Sequence, residues 1–304
     1  VERRRTGAGP QSSVKQAELE VLLSEPEGFG DDVPVNRDFH ARRLPDAVWR
    51  DPESTVSKGV EAVIQLHRLR EVLALIGFTR FEAAVRDIHG EYESDVERAT
   101  IAIEPTWFPA VENRGEGVFL QLRGTTVEAW LGWTPVKSRI DELRQGHTAW
   151  RQQRGKSPAG FPGGPYILLH TLAHLLIQSM AMRCGYPASS IRERVYVEGG
   201  HYGLLLYTGS PDAEGTLGGL VQQARHLEDH LNHALDMGIL CANDPIGAQH
   251  SAAQSLEERR LHGAACHGCT LIAETSCEMR NDYLDRALVV PVLGLEDAAF
   301  FPMT

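Results

Sequence analysis

The stretch Ile167-Leu168-Leu169-His170-Thr171-Leu172-Ala173-His174-Leu175-Leu176-Ile177-Gln178-Ser179-Met180-Ala181-Met182-Arg183 decides how the rest of the chain is read. It is the most apolar segment of the sequence, and Gly185 with Pro187 ends it as a helix. Its apolar character is broken by His170, Thr171, His174, Gln178 and Ser179, which makes it too short and too polar a run to cross a bilayer. Downstream, Val195–Val197 and Leu204–Thr208 read as short strands, and Leu220, Ala224, Leu227, Leu231 and Leu235 share one face of a helix from about Leu220 to Met237. A further helix is expected near Glu274 to Ala287 and a last strand at Leu288 to Leu293. Helices and short strands follow each other without regular alternation, so the predicted class is α+β.

Upstream, Val60, Val63, Ile64, Leu66, Leu69, Val72, Leu73 and Ile76 recur at helical spacing and Gly77 supplies a stop, which predicts an amphipathic helix. Val118–Leu122 and Thr126–Trp130, separated by Arg123-Gly124-Thr125, read as a hairpin. Lys137 to Lys156 is a basic helix running into a Pro- and Gly-rich linker. Residues before about Thr55 are polar, with order hinted only at Glu18–Leu23, and read as an extension that wraps a neighbour or is partly disordered. The expected organisation is an extended or partner-wrapping segment at 1–55, an α+β region at 56–156 and a cysteine-bearing domain at 165–304.

At 304 residues with 42% hydrophobic content the chain can bury a real core, which excludes disorder throughout. The opening Val-Glu-Arg-Arg-Arg-Thr has no apolar stretch of the kind a secretion signal needs. Five cysteines in a chain of this length do not form a secreted disulfide framework, so a reducing, cytoplasmic location fits better. A net charge of -11 repels phosphate at long range unless cations gather on one face.

Cys241, Cys266, Cys269 and Cys277 carry the chemistry. The Cys266-His267-Gly268-Cys269 pair lets two thiolates converge on one ion, a distant pair completes a tetrahedron, and soft donors favour Zn(II). Buried unrelated thiols or a redox-active pair are the other reading. His262 and His267 lie near enough in sequence to replace one thiolate. A closed site of four thiolates leaves no position for water, so its role would be structural. His170 and His174, four apart on a helix, share a face and could bind a metal, with an acidic residue such as Glu214 as third partner of a hydrolase. Thr171 stands where a zincin has its Glu, which favours two satisfied core histidines instead. The glycine-bearing loop Tyr207–Gly219 is not a dinucleotide fingerprint and reads as turn and capping chemistry. Gly155-Lys156-Ser157 is not the end of a Walker motif. Lys137, Arg139, Arg144, Arg151, Arg154 and Lys156 are candidate DNA contacts, or else a solvated face.

Leu169–Leu176, Leu205–Thr208, Asp212–Leu220, Ala264–Cys269 and Glu274–Glu278 with Leu284-Asp285-Arg286 together resemble the Mrf-type zinc-binding domain that accompanies superfamily 2 helicases. Leu69–Val72, Gly77–Arg80, Pro109–Glu112 and Arg114–Leu120 resemble the DrmB family, the helicase-associated subunits of DISARM phage-defence systems. The resemblance covers roughly Val60 to Ala287. It implies a non-catalytic zinc-binding subunit bound to a DrmA-like helicase and assisting capture of phage DNA. It also implies zinc ligands at Cys241, Cys266, Cys269 and Cys277.

Overall fold

The computed structural model describes residues 13–24, 38–80, 87–89, 99–209, 219–243, 247, 250–252 and 259–301. Among these lies one five-stranded antiparallel sheet in the order β1 (His40–Arg43), β2 (Val60–Ala74), β3 (Ala110–Leu122), β5 (His201–Thr208), β4 (Ile191–Glu198). The α+β class expected from the sequence is what the chain adopts.

Side chains alternate across the sheet, as period-two geometry requires. On one face Val63, Val118, Leu120, Val195, Leu204 and Leu206 join the main core. On the other, Ile64, Leu66, Phe119, Tyr196, Leu205 and Tyr207 meet Leu19 and Leu22 of α1 (Val14–Leu23). The segment Val60–Ala74 is thus a strand rather than the expected helix: as far as Leu66 both of its faces are covered, so its apolar residues run nearly continuously there and imitate a helical period. Thr126–Trp130 is likewise not a strand. It belongs to α3 (Gly124–Leu131), which buries Val127 and Trp130 at a helical interval.

After the four-residue α2 (Asp46–Trp49), β2, β3 and α3 come α4 (Thr134–Gln153) and α5 (Gly164–Cys184), ahead of β4 and β5. α5 is long and apolar enough by composition to cross a membrane, yet its residues from Tyr166 to Ile177 are all buried within the protein. It packs on β4 and β5, and α7 (Leu227–Ile239) packs against it after the short α6 (Gly219–Gln223). The β4–β5 turn is Gly199-Gly200, both at positive φ (58° and 79°), the conformation a two-residue hairpin demands.

Two features of the expected organisation differ. The main core includes residues from Leu44 to Phe301, and β3 pairs with β5, so the Pro- and Gly-rich stretch after α4 does not separate two cores. The described part of the first 55 residues packs on its own chain: Ser13 caps α1, the Lys15 ammonium reaches Val195 O (2.7 Å) and Glu278 (2.8 Å), and Glu18 pairs with Arg194. Among the described residues from Cys241 onward there is neither an α-helix nor a strand, only short 3₁₀ turns. The expected helix at 274–287 is two single 3₁₀ turns, Glu274–Ser276 and Arg286–Leu288, and no strand forms at 288–293.

Candidate metal centres

The irregular C-terminal segment is fixed by side-chain bonds in place of secondary structure. Asn281 exchanges two hydrogen bonds with Ile272, accepting from its N–H and donating to its C=O (3.0 and 2.9 Å). Asp285 accepts from the N–H groups of Ala264 (2.9 Å) and Ala287 (3.1 Å). Arg286 donates to Ala264 O and to Gly238 O, which ties the end of α7 to the loop that carries Cys266.

That tie brings Cys241, just beyond α7, to the Cys266/Cys269 turn. Cys241 Sγ and Cys269 Sγ each lie 3.5 Å from Cys266 Sγ. Sulfurs at ~2.3 Å from a tetrahedral ion stand about 3.8 Å apart, so the three donors fit zinc with a slight contraction. Backbone donors already face the sulfurs: Gly268 N–H points to Cys266 Sγ and Cys266 N–H to Cys269 Sγ, both at 3.3 Å. Burial pushes the Cys269 thiol up to about 12, a cost that a cation beside the sulfur would remove. His267 is exposed, and His262 faces Asp282 at 3.8 Å, so neither histidine joins these thiols.

Cys277 lies elsewhere. The four thiols expected at one point are divided, and Cys277 shares a second cluster with His170, His174 and Glu193. α5 projects the two imidazoles from successive turns, with ring centroids 4.5 Å apart. β4 contributes Glu193 from the face that also buries Ile191 and Val195. Glu193 Oε1 is 2.9 Å from His170 Nε2 and 3.3 Å from His174 Nε2, and Cys277 Sγ is 3.1 Å from His170 Nε2. Burial, the largest single influence, would lower both histidines, but the Glu193 carboxylate and the Cys277 sulfur, with their hydrogen bonds, together outweigh it and hold His170 well above its ordinary value and His174 at about 9. Burial would raise Glu193 and Cys277, yet the histidines leave both below their usual ranges.

Glu193 is the residue sequence reasoning missed. Between Arg192 and Arg194 it reads as one charge in a polar run, whereas its period-two register with Ile191 and Val195 marks an inward position. Glu214, the acid first paired with the two histidines, lies outside the described residues.

The six cations of the basic stretch separate into two kinds. Arg139 and Arg151 are turned inward and are not surface contacts. Arg139 forks onto Asp285 (2.7 and 3.3 Å) and also meets Glu142, while Arg151 Nε donates to Ser157 O at 2.8 Å. Their inward course follows from α4 lying on the C-terminal segment, so one side of a basic helix faces protein. Lys137, Arg144, Arg154 and Lys156 stay at or near the surface, Arg144 paired with Asp141 and stacked on Phe161, Arg154 stacked on Trp150.

An antiparallel sheet backed by a buried helix carries a cluster of three thiols that could hold a metal ion on an irregular C-terminal loop, and residues 172–270 match the MrfA Zn-binding domain family. That matched stretch contains Cys241, Cys266 and Cys269. The chain is further similar to the DISARM protein DrmB of Bacillus paralicheniformis, 36% identical over 242 residues that make up 79% of this chain. It spans 42% of that relative's length. The resemblance to the DrmB family read from the motifs is thereby met, and zinc is the metal that the matched family and the thiol cluster support.

Proposed function

We propose that this chain is a non-catalytic, zinc-binding subunit of a cytoplasmic phage-defence complex. Its partner is a superfamily 2 helicase of the DrmA type, and its task is recognition or loading of foreign DNA. The observation that carries the reading is the 36% identity to a DISARM protein across 79% of the chain. The geometry supports it from two sides. His170, His174 and Glu193 are fully buried in their side chains, so that cluster offers no substrate an open position. Among the described residues, grooves run along α1 and β2 and beside α4. The far end of the β2–β3 ribbon and the segments beside it expose Val72, Leu73, Phe78, Trp107 and Val111, an apolar surface suited to another protein chain.

The test is reconstitution. Alone, the chain should hydrolyse neither ATP nor nucleic acid; mixed with its helicase it should co-elute and change DNA-stimulated ATP turnover. Metal-dependent cleavage of DNA or RNA by the isolated chain, lost in His174→Ala and retained with a helicase unable to hydrolyse ATP, would overturn the reading in favour of a hydrolase.

A further inference from the structure

We propose that His170, His174, Glu193 and Cys277 form a second metal site, closed and structural, that takes one divalent transition-metal ion of the zinc class separately from the Cys241, Cys266 and Cys269 cluster. All four donor atoms lie within 4.8 Å of one another, and no side chain among them is more than slightly exposed.

The orientation of the donors favours an ion over a simple polar knot. His174 Nδ1 is 2.7 Å from Thr270 O and His170 Nδ1 is 3.3 Å from Tyr283 O. A ring nitrogen beside a carbonyl must carry its proton, so in each neutral imidazole the Nε2 lone pair is turned toward the shared centre. That is how metal-binding histidines are set by their outer partners. The sulfur is prepared in the same way: the N–H groups of Met279 (3.3 Å) and Asn281 (3.1 Å) both point at Cys277 Sγ. The tight turn that aims them holds Arg280 and Asn281 at positive φ (55° and 65°), a conformation side chains other than glycine's rarely adopt. The buried atom Glu193 Oε2 has no hydrogen-bond partner, whereas Oε1 serves both imidazoles and the N–H of Glu278 (3.2 Å). A buried carboxylate with one oxygen bare is costly, and a cation beside Oε1 would offset that cost.

Charge and distance agree. One carboxylate, one thiolate and two neutral imidazoles around a divalent cation give a neutral group, which suits a site without solvent. Without the ion, the same two anions would need two imidazolium rings 4.5 Å apart, which repel one another. Tetrahedral ligation places N and S about 3.6 Å apart and N and O about 3.4 Å apart. The observed 3.1 Å and 2.9–3.3 Å lie a few tenths inside those values, as with the thiol cluster. With four donors and no opening, the ion would hold α5, β4 and the 270–283 loop together and would activate no water.

Metal content and X-ray absorption of the full chain purified with zinc decide the matter. The expected result is about two zinc ions per chain in a mixed shell, near an equal number of sulfur and lighter N/O donors per ion. Cys266→Ser with Cys269→Ser should keep about one ion, bound mainly by N and O with about one sulfur. Glu193→Gln should lose about one ion and leave a shell enriched in sulfur. Should either variant fail to fold, the wild-type shell still discriminates. About one zinc per chain with an all-sulfur shell would mean that Cys277 joins the other thiols, and would overturn the second site. So would a metal-free Cys266→Ser, Cys269→Ser variant that folds.

Discussion

Replacing Arg139 by Met should unfold this protein more readily than any substitution on the solvent side of the same helix. The Arg139 guanidinium is 3% exposed and forks onto Asp285, whose carboxylate is completely buried, at 2.7 and 3.3 Å. It also meets Glu142 at 2.7 Å and His250 O at 3.3 Å. Methionine fills much the same volume but leaves the Asp285 carboxylate with two backbone N–H groups and no countercharge. Breaking one side of a buried ion pair costs about 3–5 kcal/mol, and the two remaining donors place this case near the lower end, at about 3 kcal/mol. Arg139→Met with Asp285→Asn removes both charges while the amide oxygen can keep those donors, so the double variant should recover about 2 kcal/mol of that loss. Urea denaturation of the two single variants and the double variant gives the coupling directly. A loss under about 1 kcal/mol in Arg139→Met, or additive single losses, would refute the assignment of this arginine to the core.

Substituting Gln at Lys137, Arg144, Arg154 and Lys156 together should weaken DNA binding by the reconstituted complex and lower its salt slope by about 0.9 for each phosphate that is no longer neutralised, whereas Arg151→Gln should act on stability. A slope that the fourfold variant leaves unchanged would count against this face. Gly146→Ala should destabilise by about 1–3 kcal/mol even though alanine is the better helix former by up to ~1 kcal/mol. The reason is that the new Cβ would stand 2.3 Å from Arg260 O and 2.8 Å from Ala252 Cβ; a variant as stable as the parent in thermal melting would show that α4 does not lie so close. Burial and the neighbouring Arg183 hold His230 down to about 4. The unfolded chain binds that proton near pH 6.5, so the contribution is full above about 6.5, falls as the pH drops toward 4 and levels below it. It amounts to on the order of 2–3 kcal/mol. His230→Gln should flatten the urea midpoint between pH 7 and pH 5 relative to the parent, and parallel curves would exclude His230 as the source.

What could be read from the sequence was whatever a single period could encode. α4, α5, the second half of β4, most of β5 and α7 were legible because one face or one core position repeats. β2 was not, since α1 covers its second face and removes the alternation that marks a strand. α3 was obscured by Thr125, Thr126 and Val127, whose branched side chains suit a strand until Trp130 is seen to bury beside Val127. At the metal centres the residue types were evident and their grouping was not. Cys277 follows Cys269 closely in sequence, yet the irregular backbone from Thr270 to Asn281 turns it toward α5, and only tertiary contacts decide which neighbours it meets.

The bond between Lys15 and Glu278 joins residues 263 positions apart, and α1 completes the second face of the sheet through it and through Arg194. Such a closure has a consequence for the order of events at the ribosome. The strands that cover Leu19 and Leu22 are complete by Tyr207, but Glu278, next to Cys277, is made long afterwards, so α1 can meet the sheet before the ion pair that ties it down can form. The Lys15–Glu278 tie and completion of the Cys277 cluster therefore belong to the same late step. Chains halted before Glu278 should be cut within α1 by protease, whereas full-length chains should resist; equal protection in both would show that the sheet retains its first helix without the tie.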